Sequence, residues 1–532
     1  MSYKDAELLT DKNGNPIPQY FDVSANVFKP ITSDNQKDLQ QVKDDNVLTK
    51  LTELDSKVEG IVNGTTKIQS DTKVTGSTVT LDTNLTNIED LLYNQREIIN
   101  VLSDSALVFG AYWDKSSNPT LTRTDAAEGK VANAGVDGQL VQNDFDSLPI
   151  YRDIGEVTDD NGNVFIRIPK FYIRKKDGQG FKLWQISKMK YTGFYLPWCF
   201  WDFENNKELD YIDVGKYKAS LSDTDKLESK VDKHPLVSRN IVQFRDYARN
   251  NGAGYQQLDI HVMDVLQTLF YVEFATLNSQ SVMNGFTSGR VSESDTITVA
   301  ELATNRAIVS NATASYFRVG QSITINNSIW SNTEPRIITD IQPYDVDNTA
   351  ITFDGDPIDT VVGEFISNRG WVNGFSRNIL ASSGSIVSNS DGKHPCVYRG
   401  IESPWGDIYQ FVDGININDH QTWVAKNADD YTSNVFASPY EQVGYVNSNT
   451  NGYVSEMGYD TNNPFVELPV NVSGGSTTYY SDYYYQSTGQ RIALVGGYWS
   501  YGSSAGLSYW ALYASSGNAY VILGGRLLKK PL

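Results

Sequence analysis

The spacing of apolar residues changes along this chain, and each change marks a boundary. Residues 1–34 show no periodicity. Asp11-Lys12-Asn13-Gly14-Asn15-Pro16-Ile17-Pro18 joins an Asn-Gly turn to two prolines, which predicts a turn leading into an extended attachment arm. Over 35–105 the pattern is helical. Val47, Leu51, Leu54, Val58 and Ile61 follow the 4-3 alternation of a coiled-coil seam, and Leu81, Leu85, Ile88, Leu92, Gln95, Ile99 and Leu102 repeat it. The two runs are out of phase, with Gly60, Gly64 and Gly76 near the junction, so a stutter or break is expected at 62–80. Positions outside the seam are polar. Burial of the seam by oligomerisation is therefore expected, with a helical hairpin inside one chain as the alternative. The mixed Leu, Ile and Val seam is compatible with a homotrimer.

From 106 to 286 β-type patterns take over. Residues 164–174 alternate as strands after the turn Asp160-Asn161-Gly162-Asn163. Phe194-Tyr195-Leu196-Pro197-Trp198-Cys199-Phe200-Trp201 reads as core. Helices are predicted over 238–250, stopped by Asn251-Gly252, and over 260–277, which is apolar on most faces and should be buried. Residues 287–370 are Thr/Ile/Val-rich with regular turns, Phe317-Arg318-Val319-Gly320 among them, and predict an inserted small β-barrel or sandwich. The last part, 371–532, contains a stretch, 492–525, with no charged residue but many Tyr, Trp, Ser and Gly. Its apolar runs are interrupted too often for a membrane span. Tyr and Trp offer large contact area with few rotatable bonds, and Ser, Gly and Asn adapt their hydrogen bonding, the mixture of a recognition surface. A tyrosine-rich β core is the alternative.

Composition narrows the function. The 532 residues leave room for several domains, and 40% are hydrophobic, enough for substantial cores. A net charge of −20 argues against a nucleic-acid partner, because no basic stripe neutralises phosphates. Cys199 and Cys396 are too few for a disulfide framework, and whether they pair is open. Met1-Ser2-Tyr3-Lys4-Asp5 opens a polar segment without a signal-peptide core, so release by lysis or inside a particle is expected rather than export. No catalytic pattern stands out. His234, His261, His394 and His420 lack zinc-site spacing, and there is no nucleophile elbow or phosphate-binding glycine loop. Asp413, Asn416, Asn418 and Asp419 form an oxygen-rich run that could hold Ca²⁺ or be a plain polar loop, the calcium-loop pattern being unmet. No catalytic residue, metal or cofactor is expected.

One segment carries a family resemblance. Arg399-Gly400-Ile401-Glu402-Ser403-Pro404-Trp405-Gly406-Asp407-Ile408-Tyr409-Gln410-Phe411-Val412-Asp413-Gly414 resembles the glycine-asparagine-hydrophobic-tryptophan segment of the formylglycine-generating-enzyme-like branch of the C-type-lectin fold. Val495-Gly496-Gly497-Tyr498-Trp499 is similar to the Gly-Gly-Ser-Trp strand of that fold, and Gly525-Arg526-Leu527 to its closing strand. Residues 217–280, with Ala248-Arg249-Asn250-Asn251-Gly252, and the arm 8–18 resemble parts of phage tail proteins. The resemblance covers 150–286 and 371–532, and the arm more weakly. The oxidase members need reactive cysteines late in the fold, and here none follows Cys396; the histidines of the iron-binding relatives are missing too. The resemblance therefore implies the non-enzymatic branch: phage receptor-binding proteins of the tropism-determinant type, in some of which a diversity-generating retroelement rewrites the C-terminal surface. An ordinary fixed adhesin is the alternative.

Together these readings predict an α+β multidomain chain: an arm (1–34), a coiled-coil stalk (35–105), the first part of a C-type-lectin-like region (106–286), an inserted all-β domain (287–370) and a C-type-lectin-like domain with a ligand-binding end (371–532). Gly496, Gly497, Trp499, Gly506 and Leu507 are expected to be scaffold. Tyr498, Ser500, Tyr501, Ser503, Ser508, Tyr509, Ala511, Tyr513, Asn518 and Tyr520 are expected to contact the ligand. The expected partners are a bacterial surface receptor, protein or glycan, and phage tail or baseplate proteins at the N-terminus, with the protein located in the virion and no membrane insertion. A surface-glycan depolymerase, a formylglycine-type enzyme and a purely structural baseplate protein are the competing readings.

Overall fold

The computed structural model describes residues 19–22, 27–30 and 107–532, and the chain divides into one unit before residue 105 and another from 105 onward. In the first unit Gln19–Asp22 pairs antiparallel with Val27–Pro30. The stalk predicted over 35–105 lies outside the described residues.

In the second unit strands dominate, which corrects the predicted fold class. Strand makes up 38% of the described residues and only three α-helices occur among them, so the fold is β-rich rather than α+β with a C-type-lectin-like domain. The helical patterns at 238–250 and 260–277 do form helices, α1 (Ile241–Arg249) and α2 (Ile260–Phe274). They are isolated elements, however, among described residues whose regular structure is otherwise almost entirely short strands.

Helix α1 begins with a reciprocal cap: the Asn240 side chain accepts the Gln243 N–H, and the Gln243 side chain accepts the Asn240 N–H. Helix α2 begins at Asp259, whose carboxylate accepts the Val262 N–H at 2.9 Å, and ends at Ala275 in a left-handed conformation. Every residue of α2 is buried, including His261, Asp264, Gln267, Thr268 and Glu273.

Strands of two sheets, Val108–Trp113 and Phe181–Ser187 of one and Tyr409–Asn418 of another, pack against this helix. A four-stranded sheet runs in the order Thr122–Asp125, Val108–Trp113, Phe181–Ser187, Tyr172–Gly178. A five-stranded sheet contains Tyr255–Gln257, Leu527–Lys529, Tyr211–Gly215, Val164–Pro169 and Gly155–Thr158 in that order. The C-terminal strand Leu527–Lys529 thus inserts between two earlier strands, pinning the end of the chain inside a sheet. An eight-stranded sheet completes the architecture.

Residues 297–369 form a sheet of their own, six strands over a separate core that includes Ile297, Val309, Phe317, Ile323, Ile351 and Ile366. Its edge strands meet through the Thr296–Phe365 bridge and the hydrogen bond from Ile297 N–H to the Glu364 carbonyl at 2.8 Å, so the sheet closes on itself. A short helix, α3 (Asn311–Ala314), packs against it. Cys199 and Cys396 are both free and buried, which answers the open question of their pairing.

The charges of α2 are met from other elements. Lys175 stands 2.6 Å from Asp264 and 2.7 Å from Glu467, Lys182 pairs with the second oxygen of Glu467, and all four side chains are almost completely buried. Burial alone pushes the Glu467 carboxyl up, but the two lysines outweigh it and hold it at about 2. Breaking such a pair leaves an uncompensated buried charge. Glu467→Gln should therefore cost about 3–5 kcal/mol in urea unfolding at neutral pH, whereas Arg306→Ala, which removes an exposed pair with Glu301, should cost at most about 1 kcal/mol. Because the folded value is depressed, the Glu467 contribution is complete above its ordinary 4.5 and is lost as the pH falls toward about 2. The wild-type and Glu467→Gln stabilities should converge over that interval.

Candidate functional site

The eight-stranded sheet holds the 492–525 segment. Its central strands are β1 (Tyr409–Asn418), β2 (Tyr483–Gln486), β3 (Gln490–Gly496) and β4 (Gly506–Leu512). They run in the order β1, β3, β4, β2, and Gly452–Tyr453 follows at the edge. β2 and β4 are parallel, with Tyr484 opposite Trp510 and Tyr485 opposite Ala511. Side chains alternate across the sheet. Tyr484, Val495, Trp510 and Leu512 enter the large core, while Tyr483, Tyr485, Leu494, Tyr509 and Ala511 belong to the opposite face.

That opposite face is built of tyrosines. Its base is buried: Tyr409 and Tyr509 share a hydroxyl–hydroxyl hydrogen bond of 2.7 Å, and Tyr498 packs on Tyr409 with ring centroids 5.4 Å apart. Half-exposed rings continue it outward. Tyr501 lies 4.3 Å from Tyr498, Tyr485 lies 5.8 Å from Tyr501 and 4.6 Å from Tyr483, Tyr483 lies 5.0 Å from Tyr453, and Tyr513 lies 6.3 Å from Tyr485. Tilted and edge-on contacts of this kind match the ring quadrupoles. The Tyr453 hydroxyl meets Ser503 Oγ at 3.1 Å. Burial raises the Tyr498 phenol to about 12 and pushes those of Tyr501, Tyr509 and Tyr513 up as well, so all remain neutral hydroxyls at physiological pH.

The back of β4 is tied down. Ser508 shares a 2.6 Å hydrogen bond with the Tyr271 hydroxyl of α2, and its N–H donates to Asp482 at 2.7 Å. Gln267 of α2 donates to the Leu507 carbonyl. Gly506 lies so close to Asp482 that a Cβ there would come within 2.1 Å of its Oδ1, and Gly497, at φ +75°, lets the chain turn against Ala505.

These placements divide the predicted contact residues and correct part of the list. Ser508, Tyr509 and Ala511 are fully buried and Tyr498 is 8% exposed, so they form the scaffold of the face rather than its contact surface. The reason is β alternation and the close approach of α2, neither visible in composition. Ser500, Tyr501 and Tyr513 are half-buried at the face, and Ser503 is exposed beside it. Asn518 caps a turn, accepting the Ser515 N–H at 2.6 Å and donating to the Tyr520 hydroxyl, and Tyr520 is 51% exposed there. The predicted scaffold residues Gly496, Gly497, Trp499, Gly506 and Leu507 are all buried. Sequence reasoning missed Tyr409, Tyr453, Tyr483 and Tyr485. The period-two spacing of Tyr483 and Tyr485 was the available signal, but their parallel pairing with β4 was not.

The oxygen-rich run is structural. Asp413 accepts from Arg245 at 2.7 and 2.8 Å and from Gln257 at 2.8 Å, Asn416 donates to the carbonyls of Thr432 and Val435, and Asp419 accepts the Gly489 N–H. Among the described residues no cluster of His, Cys, Asp or Glu suits a metal ion. The conspicuous 399–414 segment is likewise committed to the core. Trp405 is buried, Glu402 accepts the N–H groups of Gly374 and Ser376, and Arg526 donates to Gln410 and to the carbonyls of Gly215, Lys216 and Glu402.

No family model matches the chain, and no curated protein does.

The division between scaffold and rim is measurable. Trp499 is fully buried, so Trp499→Ala should lower stability by about 3–5 kcal/mol. Tyr520→Ala, at the exposed turn, should change it by no more than about 0.5 kcal/mol. Paired urea titrations of the two variants test both values.

Proposed function

We propose that this chain is a non-enzymatic receptor-binding protein of a phage tail, which attaches to a bacterial surface through the tyrosine face. The observation that carries the reading is the face itself: half-exposed rings of Tyr483, Tyr485, Tyr501 and Tyr513 seated on a buried layer of further tyrosines. Rings held by neighbouring rings lose little conformational freedom when a ligand arrives, and preorganisation of this kind raises affinity by lowering the cost of binding. Tyrosine also combines apolar area with a hydroxyl that can bond at the rim, which is why it concentrates binding energy.

The remaining parts of the reading extend the same idea. Tail or baseplate components are the protein's partners through the N-terminus, and a homotrimeric state multiplies weak contacts. Retroelement diversification, if it operates on 492–525, alters ligand choice at Ser500, Tyr501, Ser503 and Tyr513, where side chains reach the surface, and is purged at the buried positions. No helix among the described residues is long and apolar enough to cross a membrane.

Adsorption of labelled full-length protein to bacterial cells tests the proposal. Tyr485→Ala and Tyr501→Ala should each weaken adsorption by about 1–3 kcal/mol, while Tyr344→Ala, an exposed tyrosine on the inserted domain, should leave it unchanged. Folded Tyr485→Ala and Tyr501→Ala proteins that adsorb like the wild type would remove the tyrosine face from the function.

A further inference from the structure

The segments that build the tyrosine face share a second property besides their aromatic content. Residues 442–455 and 492–525 contain no charged residue, and 468–490 contain one, Asp482. Asp482 is 1% exposed, with one oxygen engaged by the Ser508 N–H. Arg491, between two of these segments, turns its guanidinium back onto the Thr488 carbonyl at 2.8 Å. In a chain that is 20% charged and carries a net −20, an uncharged face of this extent constrains the ligand.

We infer that the tyrosine face binds a neutral polysaccharide, an inference that rests on the recognition role proposed above. An anionic ligand would meet no cation on the face and the repulsion of the whole molecule. A cationic ligand would find no exposed carboxylate on these segments. What the face offers is ring surface and neutral hydroxyls: Tyr453, Tyr483, Tyr485, Tyr501 and Tyr513, with Ser503 hydrogen-bonded to Tyr453. Sugar rings match both features, since the C–H side of a pyranose packs on an aromatic ring while its hydroxyls exchange hydrogen bonds at the edge. Size separates this ligand from a protein. A standard protein interface engages roughly 20–30 residues on each side, many more than the tyrosine rims and their flanking serines provide. The rings are also half-buried, so they present a ledge rather than projecting anchors that fill a partner's pockets. From Tyr453 through Tyr483 and Tyr485 to Tyr501 the rings follow one another at 4.6–5.8 Å with planes tilted by 82°, 42° and 33°, a continuous aromatic rim against which the C–H side of a sugar can pack.

The test uses labelled full-length protein adsorbing to bacterial cells in competition with two fractions of those cells: deproteinised polysaccharide that passes through an anion exchanger, and surface protein freed of polysaccharide. The neutral polysaccharide should compete, the protein fraction should not, and adsorption should persist between about 0.05 and 0.5 M salt, where charge interactions are screened. Tyr485→Phe, which keeps the ring, should stay within about threefold of wild type, while Tyr485→Ala should lose about tenfold or more. Competition by the protein fraction alone, with Tyr485→Ala still defective, overturns the polysaccharide and leaves the recognition role standing. Loss of adsorption at high salt overturns the neutral ligand. Adsorption of folded Tyr485→Ala equal to that of wild type overturns the recognition role itself.

Discussion

The structure depends on a helix buried on every side that nonetheless carries charge. Asp264 and Glu273 of α2 have no water to solvate them, so each requires a cation delivered by another part of the chain. Lys175, from the Tyr172–Gly178 strand, meets Asp264, while Arg399 meets Glu273 with its Nε 3.0 Å from Oε2, and Asn143 donates to the same carboxylate at 2.8 Å. These partners come from positions far apart in the sequence. A misplaced sheet would strand a buried charge at a cost of several kcal/mol, so the polar residues of α2 penalise wrong packings more sharply than its apolar residues can.

The same helix determines the mechanics of the tyrosine face. Tyr271 and Gln267 grip β4 from behind, at Ser508 and the Leu507 carbonyl. With the back of the strand fixed, Tyr509 and Ala511 on its front have one position each, and Tyr409 fastens Tyr509 through its hydroxyl. The outer rings then rest on a buried, hydrogen-bonded base. A surface whose exposed residues are adaptable in chemistry but fixed in position is suited to recognition, because little ordering entropy is lost on contact.

Core and surface share the same short strands, which explains where residue-by-residue reading went astray. In 506–512 alternate side chains serve opposite faces, and both faces are covered: one by α2 and the large core, the other by tyrosines. A strand in that position is buried throughout, whatever its composition. The contacts predicted at Ser508, Tyr509 and Ala511 failed for this reason, whereas Tyr501 and Ser503, in the turn before β4, remain accessible. Asp413 illustrates the same effect for charge: an acidic residue among asparagines suggests a cation site, yet Arg245 from α1 already neutralises it.

By itself the sequence determined the local elements. The helix ending before Asn251-Gly252, the buried helix within 260–277 that is apolar on most faces, the β character of 287–370 and the buried glycines and tryptophan near 496–507 follow from stop signals, periodicity and backbone freedom, which act over a few residues. Tertiary structure decided the proportion of strand to helix, the closure of the inserted sheet through Thr296 and Phe365, and the identity of the tyrosine face. That face joins Tyr409, Tyr453, Tyr483, Tyr485, Tyr498, Tyr501, Tyr509 and Tyr513 from separate strands and turns, and no local rule brings them together. Strand pairing does, because β-sheet neighbours are chosen by long-range complementarity, and a one-residue change of register in β2 or β4 would turn Tyr483 and Tyr485, or Tyr509, to the other side.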